Sequence, residues 1–219
     1  MDDLLGRCRA LLDSGAPKLE DLVRAVSEGD GQSAVAMAQP DSRRPYGRKV
    51  LFAGEHVEGM VARWTPAYPC APHDHGGSFG AVRVLSGRVK HRIWRVTDGA
   101  ITLAREEERA AGDILICGPD MVHSMVDAGG DEPLVTLHLY TDPIGHMVVY
   151  DVATAQTVVV QGECGAWIPV DQPELIRSVH DGVLRFPEVT SPDEDHSWQD
   201  RPLTVRGGAS ASASLLQES

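Results

Sequence analysis

Residues 72–87 read PHDHGGSFGAVRVLSG. His73 and His75 stand one residue apart, small residues follow, and an alternating apolar run ends at Ser86-Gly87. On a strand, residues i and i+2 point the same way. The pair then aims two imidazoles at one point, as a metal site requires, and neutral imidazole suits iron, copper, zinc or nickel. The competing reading is an accidental pair on a wet surface. The first strongly ionisable residue after the pair is Arg83, with no acid in between. A third ligand is needed, and His123 in GDILICGPDMVHSMVD (112–127) is the best placed, after a Gly-Asp turn and an apolar strand. His56, His91, His146, His180 and His196 lack such context and read as solvent-exposed or structural.

Outward from this stretch, short Val/Ile/Leu-rich segments recur from about Arg48 onward. They include RKVLFAG, GMVARW, RVKHRIW, AITLA, LVTLHLY, HMVVYDV and TVVVQG, broken by Gly, Asp or Pro. Many short strands with turn signals predict an antiparallel sandwich or barrel. VLSGRV and RVTDGAI read as hairpins, the second with an Asp-Gly turn. Pro173–Val179 reads as a short helix. Before the strands, Leu4, Leu5, Cys8, Leu11 and Leu12 and then Leu19, Leu22, Val23 and Val26 recur at helical spacing. The expected organisation is a helical segment over 1–40 packing on the barrel, a main domain over 41–187, and a polar, poorly ordered tail over 188–219.

Composition narrows the function. The 219 residues are 42% apolar, enough for a real core. Twenty Lys+Arg against 32 Asp+Glu give a net charge of −12, which argues against nucleic acid or an anionic membrane as partner. No apolar run reaches the roughly 20 residues of a membrane helix, and MDDLLGRCRALL does not read as a signal peptide. Cys8, Cys70, Cys117 and Cys164 form no Cys-x-x-Cys pair. Such scattered cysteines suggest a reducing, cytoplasmic setting. The oligomeric state stays open, a monomer included.

The histidine motifs resemble those of the cupin superfamily. His73, His75 and Gly87 fit its first motif, with Gly80 at the usual glutamate position; Gly112 and His123 fit the second, where Gly118, Asp120 and Asp127 replace the usual Pro, Gly and Asn. The fold this implies is mainly β, a cupin-type antiparallel barrel (double-stranded β-helix or jelly roll) with N-terminal helices. Within that superfamily the chain resembles the cysteine dioxygenase family from about Tyr46 to Met147. Four stretches in order carry the resemblance: PYGRKV, HDHGGSFGAVRVLSG, GDILICGPDMVH and VTLHLYTDP.

The resemblance implies a mononuclear Fe(II) held by His73, His75 and His123, with both atoms of O2 added to the sulfur of a small thiol. Tyr46 and Arg48 would bind the substrate, Arg48 taking its carboxylate and suiting L-cysteine rather than 3-mercaptopropionate. Thr136, His138 and Tyr140 would form a hydrogen-bonded catalytic chain, with threonine where the family usually has serine. These three share one strand face, and Val135, Leu137 and Leu139 share the other. From pattern alone, the polar face is either wet or turned into a cavity while the apolar face packs outside on helices. Gly80 also stands where animal members carry a cysteine crosslinked to the tyrosine, so Tyr140 is expected to be an unmodified phenol. Other small thiols (3-mercaptopropionate, mercaptosuccinate, cysteamine), a different metal cupin, or a non-catalytic ligand-binding cupin are the alternatives.

Overall fold

The computed structural model describes residues 4–97 and 99–184, together with the backbone of 204–206. Three short helices come first: α1 (Leu4–Ala10), α2 (Leu19–Ser27) and α3 (Gln32–Met37). In α2, Lys18 N donates to Asp21 Oδ2 at 3.0 Å, which satisfies one N–H at the helix start. Leu22, Ala25 and Val26 form its buried stripe. The third helix, six residues long, went unassigned in the sequence because so short a run carries under two turns of periodicity.

Strands follow as β1 (Tyr46–Ala53), β2 (Val57–Trp64), β3 (Gly80–Ser86), β4 (Arg88–Thr97), β5 (Ala100–Ala110), β6 (Asp113–Cys117), β7 (Val122–Asp127), β8 (Val135–Thr141), β9 (His146–Asp151), β10 (Gln156–Gln161), β11 (Ile176–Asp181) and β12 (Thr204–Arg206). One sheet runs β1-β2-β8-β3-β6-β12, and two three-stranded sheets run β5-β4-β7 and β11-β10-β9. All the ladders between named strands are antiparallel. His73 bridges the two smaller sheets, pairing with His123 on one side and Val149 on the other. The result is the expected double-layered antiparallel barrel with helices at its N-terminus.

The six-stranded sheet has two buried faces. One carries Val61, Ala81, Ile114, Val135, Leu137 and Leu139 against Leu4, Cys8, Leu22 and Val26 of the helices. The other turns Ala62, Trp64, Val82, Val84 and Leu115 inward, where they meet Val89 and Met125 of the opposing layer. The apolar side of β8 therefore packs outside under the helices, and its Thr-His-Tyr side faces the interior. Arg83 locks the helices on: its Nη1 donates to Val26 O at 2.8 Å and Glu28 O at 3.1 Å, at the end of α2.

Four sequence expectations need correction or placing. VLSGRV is not a hairpin: β3 pairs with β6 and β8, β4 with β5 and β7, so the chain changes sheets at Gly87. Gly87 has φ +72°, and a Cβ there would sit 2.7 Å from Leu134 Cα. A turn signal records a reversal but not the partner across it. Pro173–Val179 is not a helix. Only Pro173–Leu175 form a 3₁₀ turn, and Ile176–Asp181 pair with β10, which offers a free edge. The RVTDGAI hairpin joins β4 to β5, with Thr97 opposite Ala100; its Asp98 lies outside the described residues. So does the tail expected from 188 on, except for the backbone of Thr204–Arg206, which forms β12 beside β6.

Candidate metal centre

His73 and His75 do not lie on a regular strand, as their spacing suggested. His73 is a single bridging residue. Its N–H donates to His123 O and its carbonyl accepts from His123 N–H, both at 2.9 Å. Tyr150 N–H donates to Pro72 O at 2.8 Å, and Asp74 N–H to Val148 O at 3.1 Å. The Asp74 carboxylate ties the segment to β9 by accepting from Val148 N at 2.9 Å and Gly76 N at 3.1 Å. One inserted residue thus places the first imidazole beside the third.

The ligating atoms of His73, His75 and His123 lie within 4.8 Å of one another, and all three side chains are buried. His75 Nε2 and His123 Nε2 are 3.1 Å apart. Two nitrogens about 2.1 Å from one ion and near right angles would be about 3 Å apart, so the pair fits a shared ion. The outer nitrogens agree with this: His73 Nδ1 is 2.9 Å from Ala71 O, which leaves Nε2 free to ligate. Burial, reinforced by neighbouring histidines, holds His75 and His123 well below the usual imidazole range, and burial pushes His73 down to about 4. All three are neutral near pH 7, the state that binds a metal.

On β8 the inward row forms a continuous chain. Trp64 Nε1 lies 2.9 Å from Thr136 Oγ1, Thr136 Oγ1 lies 2.7 Å from His138 Nε2, His138 Nδ1 lies 3.0 Å from Tyr140 Oη, and Tyr140 Oη lies 3.4 Å from His75 Nε2. Its direction follows from Trp64, whose indole nitrogen only donates, and from the buried Thr136 hydroxyl, whose proton has His138 as its remaining partner among the described residues. Thr136 accepts from Trp64 and gives its one proton to His138 Nε2. His138, driven down to about 3 by burial first and then by His73 and Arg48, is neutral. Its proton therefore sits on Nδ1 and is donated to Tyr140 Oη. The Tyr140 hydroxyl proton is left to point at the metal cluster. Burial raises the Tyr140 phenol well above its usual range, so it stays protonated.

Beneath that ring lies Gly80. A Cβ there would meet Tyr140 Cδ1 at 2.5 Å, Tyr140 Cε1 at 2.7 Å and Leu139 O at 2.7 Å. The phenol occupies the space a side chain would need, and Gly80 offers no sulfur for a crosslink to Tyr140.

Arg48 and Tyr46 on β1 line the same cavity, two strands along the sheet from this row. Arg48 Nη1 donates to Gly162 O, and its Nη2 is 3.4 Å from Glu58 Oε1. Burial holds the Glu58 carboxyl above the usual carboxylate range, with Arg48 opposing the shift in part. Tyr46 Oη accepts from Ala166 N at 2.9 Å, and its ring packs on Trp64 and Trp167. The cavity enclosed by these groups, with Met60, Met125 and Met147, is about 30 Å³. Since roughly 10–15 Å³ of such space holds one water, it suits a ligand of few heavy atoms.

All eight sequence-predicted residues therefore come together. Sequence reasoning missed Trp64, Glu58, the Gly162–Ala166 loop and His91. His91, read as exposed or structural, is 0% exposed, and its Nε2 lies 2.8 Å from His123 Nδ1. The available signal was its parity with Val89 and Ile93 on β4, both buried. Cys8, Cys70, Cys117 and Cys164 are buried free thiols. Among the described residues, no helix is long and apolar enough to cross a membrane.

Among solved structures, the chain is similar to a conserved protein with a double-stranded β-helix domain from Klebsiella pneumoniae subsp. pneumoniae MGH 78578 (20% identity over 54% of this chain and 94% of that one, TM-score 0.43). It is also similar to KdgF from Halomonas sp. (14%, 47% and 84%, TM-score 0.39) and to Lactobacillus farciminis oxalate decarboxylase in a formate complex (17%, 52% and 34%, TM-score 0.42). The family model for cysteine dioxygenase type I matches residues 21–153, well over half of the chain and every candidate residue from Tyr46 to Tyr140. With three imidazoles on one point and a hydroxyl–imidazole–hydroxyl chain ending there, the chain belongs to the cysteine dioxygenase type I family.

Proposed function

We propose that this protein is a mononuclear iron(II) thiol dioxygenase that converts a small thiol, L-cysteine first among candidates, to its sulfinic acid. The observation that carries the reading is the directed chain Trp64–Thr136–His138–Tyr140, which ends with a phenol proton aimed at three neutral imidazoles. An iron(II) ion held by His73, His75 and His123 would bind the thiolate and supply the chemistry with O2.

The protein's own residues do the rest. Arg48 offers a planar fork to the substrate carboxylate, while Glu58 and Gly162 O hold the guanidinium in place. Tyr46 and Trp64 wall the cavity and limit substrate size. Tyr140 donates a hydrogen bond to the reacting centre, and His138 and Thr136 keep its proton pointing there. The buried walls exclude bulk water, which strengthens these contacts. Arg48 favours a thiol bearing a carboxylate over cysteamine.

Oxygen uptake by the Fe(II)-loaded protein across cysteine, 3-mercaptopropionate, mercaptosuccinate and cysteamine tests this. Uptake with cysteine, and a sulfinic acid product carrying both atoms of labelled O2, is expected. No uptake with any of the four overturns the dioxygenase assignment.

A further inference from the structure

The three ligands differ in what their outer nitrogens touch. His73 Nδ1 meets a backbone carbonyl, and His75 Nδ1 is buried with no hydrogen-bond partner among the described residues. His123 Nδ1 instead meets a second imidazole, His91 Nε2, at 2.8 Å. If His123 ligates through Nε2, its proton sits on Nδ1 and is donated to His91 Nε2. The proton of neutral His91 is then on Nδ1. That nitrogen faces Glu107 Oε1 at 3.5 Å, directly across the β4–β5 ladder. Both atoms are buried and have no other partner among the described residues. Glu107 is anchored in turn: Arg109 Nη2 donates to its Oε2 at 2.7 Å, and Arg105 Nε lies 3.9 Å from the same oxygen.

From this geometry we infer that His91 and Glu107 are positioning residues for the metal: a carboxylate–imidazole–imidazole relay that fixes the orientation and tautomer of His123 and makes it the strongest donor of the three. Three features support it. The candidate cluster is all imidazole, with no carboxylate in it among the described residues. Neutral ligands leave a divalent ion's charge uncompensated in a buried site, and an anion one imidazole away is the nearest compensation built into β4 and β5. Outer partners of ligating histidines raise their basicity and fix their orientation, and losing one typically costs about 10- to 100-fold in metal affinity. The neighbouring Glu106 points the other way, exposed and paired with Arg92 at 2.7 Å, so the strand carries a built-in control.

The inference rests on the three-histidine site holding a metal, and the experiment separates the two. Fe(II) and Co(II) affinities are measured anaerobically for wild type, Glu107→Gln, His91→Gln and Glu106→Gln. The Fe(III)/Fe(II) potential and the apo melting temperature are measured for each. Wild type that binds neither metal overturns the site itself and the relay with it. If wild type binds, His91→Gln is expected to lose about 10- to 100-fold in affinity and Glu107→Gln about tenfold. Both should show a raised potential, because a weaker donor stabilises Fe(III) less, while Glu106→Gln matches wild type. Glu107→Gln needs no change of shape and stands in if His91→Gln fails to fold. The relay is overturned if Glu107→Gln keeps wild-type affinity and potential, if it lowers only the apo melting temperature, or if Glu106→Gln shifts the metal equally.

Discussion

Gly80→Ala adds one carbon at the tightest point of the site. The new Cβ would lie 2.5 Å from Tyr140 Cδ1 and 2.7 Å from both Tyr140 Cε1 and Leu139 O, where ordinary contact is 3.4–4 Å. The backbone oxygen is held in the β3–β8 ladder, so the ring must give by about 1 Å. Tyr140 is only 2% exposed, so the ring gives way into the small cavity it lines. Overpacking of this kind costs about 1–3 kcal/mol, or a few degrees of Tm in a chain of this size. Its hydroxyl sits 3.0 Å from His138 Nδ1 and 3.4 Å from His75 Nε2, so a 1 Å shift takes it out of reach of one or both. Misplacement on that scale costs about 10²-fold in turnover. Iron content should stay at the wild-type level, because none of the three histidines is on β3. The assay pairs thermal melting with oxygen uptake on cysteine. Gly145→Ala, with nothing within 4 Å of its added carbon, is the harmless control. Wild-type Tm and turnover in Gly80→Ala would refute the packing reading and the placement of Tyr140 together.

Further predictions follow from the same geometry. Trp64→Phe removes the donor that gives the relay its direction; we expect turnover to fall with iron content unchanged, and adding Thr136→Val to cost little more, since the two act as one unit. Full activity in Trp64→Phe would disprove that coupling. Arg48→Gln should raise KM for cysteine far more than for cysteamine, which has no carboxylate; equal effects would remove Arg48 from carboxylate binding. The metal-free protein should lose stability in acid. His73 and His138 titrate near 6.5 unfolded but at about 4 and about 3 when folded, so below pH 6.5 the unfolded chain takes up protons the folded one refuses. Stability is full above that pH and drops by several kcal/mol as pH falls towards 4; a denaturant midpoint flat over that range would contradict it. Chelating the metal should lower Tm, since iron at a hundredfold excess over Kd contributes about 2.7 kcal/mol; an unchanged Tm would argue against a bound ion.

Local pattern carried much of this molecule into view. Alternation at period two marks a strand face whatever its partners are. Thr136, His138 and Tyr140 could therefore be grouped from the sequence, and so could the apolar row Val135, Leu137 and Leu139 behind them. Which face is wet could not, because that depends on α1 and α2, more than a hundred residues earlier, covering the apolar side. His73, His75 and His123 were found by spacing and family likeness, although the strand expected beneath the first two is a single bridging residue.

What stayed hidden are contacts made across strands. Trp64 reaches Thr136 because β2 and β8 pair in the register that sets Ala62 opposite Thr136, and the β1–β2 ladder sets Tyr46 opposite Trp64. His91 meets His123 and Glu107 because β4 lies between β7 and β5. The Gly162–Ala166 loop reaches Arg48 and Tyr46 only once the barrel closes. The sequence by itself determined which residues share a face and what chemistry they carry, because side-chain direction along a strand is a local property of the backbone. Register and closure are settled by the free energy of the whole core, so only the tertiary structure decided which faces meet, which imidazole stands behind which, and where the phenol proton points.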